Sequence, residues 1–177
     1  MNKVYFSEEQ HFDLLWMKLL MIFSSAAAIV PLAWACYEQL VLGEPWGQQA
    51  PSDFTLMYVT LAMFIIVVGI NLMVFSSKLE TKISAEGIHY RYFPFIRKWK
   101  TVPYLDLTSF EIRKYHAWKE YGGRGFRLRT FNRKGRAFSM RGNQGLQLIF
   151  KNGKKLLLGT QRAEEMTVAL NRVKYQE

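Results

Sequence analysis

The sequence predicts a hairpin of two membrane-spanning helices followed by one mainly-β soluble domain, on three observations. Two long apolar runs, Leu19 to Tyr37 and Phe54 to Phe75, contain no Asp, Glu, Lys or Arg. From Lys78 onward apolar residues recur at every second position, in short runs broken by Gly and Asn. Charge divides at the same place. Of the 24 Lys and Arg only Lys3 and Lys18 precede Lys78, against six of the 14 acids, so residues 78–177 carry the entire basic excess.

At the helical rise of about 1.5 Å per residue the two runs span roughly 28 and 33 Å, the thickness of a bilayer's hydrocarbon layer. They predict helices over about 14–37 and 54–75 within an N-terminal segment of residues 1–77. The stretch before Leu19 holds three acids and two lysines. That is not the basic start of a cleaved signal, and the run is longer than a signal core, so an uncleaved anchor is expected. The loop Glu38 to Asp53 has three acids and no base, whereas bases crowd the chain after Phe75. Basic flanks stay cytoplasmic. The loop is therefore expected outside and both termini inside, with Lys18 snorkelling to the inner surface.

Small residues let helices approach closely in lipid. Ser24 and Ala28 on the first helix, and Thr55, Ala62 and Gly69 at seven-residue spacing on the second, are the expected packing positions. Asn71 is polar within the second span and requires a partner.

In the second half, Ile88, Tyr90 and Tyr92 alternate with His89 and Arg91, and Phe110 and Ile112 with Glu111 and Arg113. Phe126 and Leu128, Phe138 and Met140, and Leu146, Leu148 and Phe150 continue the pattern. Asn152-Gly153 marks a hairpin. About seven antiparallel strands follow, near 78–84, 88–93, 107–115, 126–131, 136–141, 145–151 and 154–159. After Thr160 the period changes. Met166, Ala169, Leu170 and Val173 form a helical stripe over 162–174, with Glu164 and Glu165 at its start as the helix dipole favours. The domain is thus expected over 78–177. Cys36 is the only cysteine, which excludes an internal disulfide or a cysteine metal site.

The segments "EYGGRGFR" (Glu120 to Arg127) and "GNQGLQLIFKNGKKLLLGTQ" (Gly142 to Gln161) resemble a group of small bacterial membrane proteins. These have two spans followed by a bacterial pleckstrin-homology-like domain. The resemblance implies a partly open barrel of seven strands plugged by the C-terminal helix, and residence in the bacterial inner membrane. Arg124 stands where the related pattern carries an aromatic residue. The connection that holds phosphoinositide-binding bases in many pleckstrin-homology domains is here the short, acidic "SAEG", Ser84 to Gly87, so that ligand is not implied.

Function has to come from side chains, because fold does not give it. "YRYFPFIRKWK", Tyr90 to Lys100, interleaves aromatics with bases, a mixture suited to the headgroup layer. Arg91, Phe93, Phe95, Arg97, Lys98, Trp99 and Lys100 are its candidate contacts with a membrane surface or partner. Arg124, Arg127 and Arg129 belong to a second basic stretch running to Arg136. Gly122, Gly123 and Gly125 lack the Lys-Ser or Lys-Thr of a phosphate loop and read as a tight turn. No nucleophile elbow, paired-carboxylate arrangement or metal-ligand spacing stands out, so no enzyme, cofactor or metal is expected. The leading expectation is a binding module for a protein partner or for anionic lipid headgroups. The alternative is an accessory subunit of a larger membrane complex, held through the hairpin. Nucleic acid is disfavoured, since only charge speaks for it.

Overall fold

A computed structural model describes residues 3–12, 14–47, 49–127 and 135–174. The chain forms two compact units, residues 13–75 and residues 1–12 together with 76–177.

The first unit is the helical hairpin. Helix α1, Leu15–Tyr37, continues as one π-helical turn, Glu38–Leu42, and α2 is Asp53–Phe75. Both are long and apolar enough to cross a membrane. Residues withdrawn from the surface recur every three or four positions: Met21, Ser25, Ala28, Leu32 and Ala35 on α1, and Leu56, Thr60, Met63, Val67 and Asn71 on α2. Asn71 finds the partner it requires, donating to Ser25 Oγ at 2.9 Å and to its own helix at Val67 O, 2.8 Å. Cys36 Sγ meets Thr60 Oγ1 at 3.3 Å. Of the five expected packing residues, Ala28 and Ala62 are half-buried, while Ser24, Thr55 and Gly69 are exposed. The contact face of α2 therefore runs through Leu56, Thr60 and Asn71, not along the Thr55–Ala62–Gly69 stripe.

The second unit holds two sheets. In the first, β1 (Val4–His11), β2 (Lys78–Ser84), β3 (Gly87–Phe93) and β4 (Ile96–Val102) pair antiparallel in that order. In the second, β5 (Leu107–Lys114), β6 (Gly125–Arg127), β7 (Arg136–Ser139), β8 (Gln144–Phe150) and β9 (Lys155–Thr160) lie in the order β5-β8-β9-β7-β6. The β7–β9 pair is parallel. Two helices complete the unit, α3 (Ala117–Tyr121) and α4 (Ala163–Lys174). The described residues thus contain nine strands where about seven were expected, one pair is not antiparallel, and the sheets do not close into a barrel. Of the strand expected over 126–131, the part beyond Arg127 lies outside the described residues.

The largest departure is β1. The segment before the hairpin belongs to the β unit, where Phe6, Glu8 and Gln10 sit opposite Ile83, Thr81 and Leu79 and are buried with them. Glu8 accepts hydrogen bonds from Thr160 Oγ1 at 2.7 Å and from the Gln161 N–H at 2.8 Å, just ahead of α4. Gln10 Nε2 donates to Gly159 O at 2.7 Å. A strand that precedes the hairpin thereby ties the first sheet to β9. As the stripe predicted, Met166, Ala169, Leu170 and Val173 of α4 enter the same core as Leu79, Ile83, Tyr92, Phe138 and Leu158.

Burial pushes the phenols of Tyr90, Tyr92, Tyr115 and Tyr121 above the ordinary tyrosine value. Their folded values exceed the unfolded value of about 10. The stability they contribute is complete below that pH and is lost as pH rises through the folded values. We expect unfolding in the alkaline range, with the phenolate absorbance of these four, out of nine tyrosines in the chain, appearing together with loss of the sheet signal in circular dichroism. Ionisation of all nine near pH 10 with the sheet signal intact would show that these rings are open to water.

Candidate functional site

Alternation along the strands divides the aromatic–basic cluster among three places. Tyr90 and Tyr92 face inward and are buried. On the outer face of the first sheet, Arg91 pairs with the buried carboxylate of Glu80, which also takes Lys78 Nζ at 2.9 Å. Trp99 on β4 lies between two cations there, Lys82 Nζ 4.6 Å and Arg91 Cζ 4.9 Å from its ring centre. Arg91 and Trp99 therefore spend their chemistry within the sheet. Arg97, above the Phe93 ring at 5.8 Å, is exposed together with Lys98 and Lys100 along β4. That strand is an edge, and Lys and Arg on an edge deter strand pairing with other chains.

The third place is the turn between β3 and β4. Phe95 is 51 % exposed, yet its ring stacks on Phe126, centres 4.6 Å apart and planes 9° apart. Phe126 stacks in turn on Phe138 at 4.8 Å and 4°. Phe138 is fully buried against Tyr90 and Tyr92. A column of three rings thus runs from the core to the surface. It brings the β3–β4 turn against β6, on which Arg127 follows Phe126. Pro94, Phe95, Ile96, Arg97, Lys98 and Lys100 line a surface depression beside the column.

Glycine shapes the neighbouring edge. Gly122 ends α3 in the left-handed region at φ +70°, and a Cβ on Gly123 would lie 2.8 Å from Arg127 Nη2 and 3.5 Å from Trp118 Cζ3. The tight turn expected from these glycines leaves room for the Arg127 guanidinium and the Trp118 ring beside Gly123. Trp118 is 77 % exposed and carries no periodicity signal of its own. It is presented by α3, which is locked down because Arg113 Nη2 donates to Glu120 at 2.9 Å and to Tyr121 Oη at 2.9 Å. Arg124 is half-buried. Arg129 lies outside the described residues.

The register orients the turn. His11 pairs with Lys78, and Lys78 with Phe93, so the end of β1, the start of β2 and the end of β3 are adjacent. From this same end the chain runs into α1 and returns from α2. Phe12 packs into the neighbourhood of the column, since a Cβ on Gly125 would sit 3.9 Å from its ring and 3.8 Å from Tyr92 Oη. The opposite end of these strands carries the turn Ala85–Glu86.

No protein-family model matches the chain, and no curated protein matches it significantly.

Proposed function

We propose that this protein is a non-catalytic, membrane-anchored binding module whose basic β unit engages the anionic surface of a bilayer. We further propose pleckstrin-homology-like descent for the unit, and residence on the cytoplasmic side of a bacterial inner membrane. The carrying observation is the grouping of Arg97, Lys98 and Lys100 with the exposed Phe95 around one surface depression. The β1–β2 ladder supports the hairpin topology, because strands paired across the inserted helices require an even number of membrane crossings. The charge asymmetry supports the cytoplasmic side.

The test follows from β1. A chain in which residues 3–12 are joined to 76–174 by a short linker keeps the whole unit without the hairpin. It is expected to bind vesicles rich in anionic lipid, with affinity falling steeply between 0.1 and 1 M salt as the screening length shrinks from about 10 to 3 Å. Each base near an anionic surface contributes about 1 kcal/mol. Reversing Arg97, Lys98 and Lys100 to Glu is therefore expected to weaken binding by at least on the order of 100-fold. Reversing Lys151, Lys154 and Lys155, exposed at the β8–β9 turn, should cost far less. Equal losses would mean diffuse charge attraction without a site. Absence of binding to anionic vesicles would leave a protein partner as the target.

A second reading draws on Ser24 and Gly69, small residues exposed on the hairpin and open to another helix. It makes the protein an accessory subunit of a larger membrane complex. Co-purification of a partner that resists high salt in mild detergent would favour it.

A further inference from the structure

The strands at the ends of the two sheets are β1, β4, β5 and β6. β4 carries Arg97, Lys98 and Lys100, the kind of charge that deters pairing. β1 lies under Arg162, whose Nη1 donates to Ser7 O at 3.2 Å. The described part of β6 is three residues long. β5 is different. Its eight residues include no Gly or Pro and carry both signs of charge. Its inward residues Phe110 and Ile112 are only half-buried. The Tyr115 N–H donates to Asn143 O at 2.8 Å, and hydrogen-bonded pairs alternate along an antiparallel ladder. Residues 111 and 113 therefore bond to β8, and the N–H and C=O of Ile112 between them point to the open side.

We propose that β5 is the docking edge for a second copy of this chain, antiparallel and centred on Ile112. The five-stranded sheets of the two copies then run on as one. This pairing is independent of the surface-binding reading. Charge selects the register. Centring on Ile112 sets Glu111 of each copy opposite Arg113 of the other. Both lie on the outer face, opposite Gln147 and Gly145, whereas Phe110 and Ile112 lie opposite the core residues Leu148 and Leu146. In the new ladder they form pairs without hydrogen bonds, where side chains approach most closely, and opposite charges so placed are favourable. Centring on Glu111 or on Arg113 would oppose like charges instead. Arg113 is already held by Gln147 and Glu120 within its own copy, so its cation is fixed before the copies meet. The ends of the strand give a second sign. Leu105, 79 % exposed, precedes β5, and Trp118, 77 % exposed, follows it. Among the described residues of the β unit these are the most exposed large apolar side chains. Pairing about Ile112 carries the Leu105 end of each strand to the Trp118 end of the other, and tryptophan is enriched at such contacts.

Because Cys36 is the only cysteine, a single cross-linking position can be chosen once it is replaced. The full chain carrying Cys36→Ser and Ile112→Cys, oxidised with copper phenanthroline in mild detergent, is expected to form a disulfide-linked dimer. Opposed Cα atoms in such a ladder lie about 5.5 Å apart, within the reach of a disulfide. Ser109→Cys, on the same strand, would lie about 20 Å from its counterpart and is expected to stay monomeric. Glu111 is exposed. Glu111→Arg, added to Ile112→Cys, opposes like charges twice and is expected to slow the cross-link about tenfold, with circular dichroism unchanged. Equal cross-linking at 112 and 109 would report collisions between copies held through their hairpins, and overturns the pairing. No cross-link at 112 with the sheet signal intact also overturns it, and leaves the edge to an extended segment of another protein. A parallel measurement needs no change at 112. Light scattering in detergent is expected to give dimers of the unaltered chain and monomers of Glu111→Arg, and the same mass for both overturns the proposal.

Discussion

A chain that begins at Ser76 is expected not to fold, while the same chain with residues 3–12 restored through a short linker unfolds cooperatively. Removing β1 deletes Phe6 from the core and uncovers Leu79 and Ile83, both otherwise without exposed surface. Loss of a buried phenylalanine side chain alone costs about 3–5 kcal/mol, against a total stability of about 5–15 kcal/mol for a domain. The deletion also leaves the Gln161 N–H, the Thr160 hydroxyl and Gly159 O without the partners they have in Glu8 and Gln10. It converts β2 into a long unpaired edge, which invites aggregation. Rescue requires little chain, because His11 and Lys78 are ladder partners and a linker replaces the hairpin as an ordinary turn would. Urea titrations followed by circular dichroism distinguish the two chains. A cooperative transition of equal midpoint in both would show that β1 is an accessory to the sheet and not part of its core.

The reason β1 escapes a sequence reading is the same chemistry that makes it matter. Its inward positions are Phe6, Glu8 and Gln10. Two of the three are polar, so the period-two apolar signal is absent, and their burial is made tolerable only by hydrogen bonds to residues more than a hundred positions away. β4 escapes for the opposite reason. As an edge strand it keeps bases at Arg97, Lys98 and Lys100, and only Val102 is buried. By contrast β3 is legible because Ile88, Tyr90 and Tyr92 face one core and His89 and Arg91 do not, and α4 because its stripe recurs at 3.6. In the hairpin, seven-residue spacing fits every face of a helix equally well. Asn71, a polar side chain on an otherwise apolar helix, marks the contact face with α1 better than the small residues do, because it finds its partner there. The candidate site was half visible. Its bases and rings stand together in sequence, but the meeting of Phe95 with Phe126, which brings the β3–β4 turn against β6, is a tertiary event without a local signature.

That column supplies the second large effect. Phe138→Ala is expected to cost about 3–5 kcal/mol, since a fully buried ring is replaced by a cavity bounded by Tyr90 and Tyr92. Phe126→Ala should cost less, because Phe126 is only half-buried, and Phe95→Ala least, because half of that ring is already in water. The two neighbouring pairs are near-parallel, with planes 9° and 4° apart. Such pairs contribute about 0.5–1.5 kcal/mol beyond the area they bury. The double variant at 126 and 138 should therefore be less destabilised than the sum of its single variants by about that amount, as contacting residues require. Urea denaturation of the hairpin-less chain measures all four. Simple additivity would mean that the rings are neighbours without coupling, and Phe95 would then be an exposed side chain on a turn instead of the outer end of a rigid column. With coupling present, the core holds the turn in place. Variants at Phe126 should then loosen the display of Phe95 and weaken vesicle binding while every base on β4 is retained.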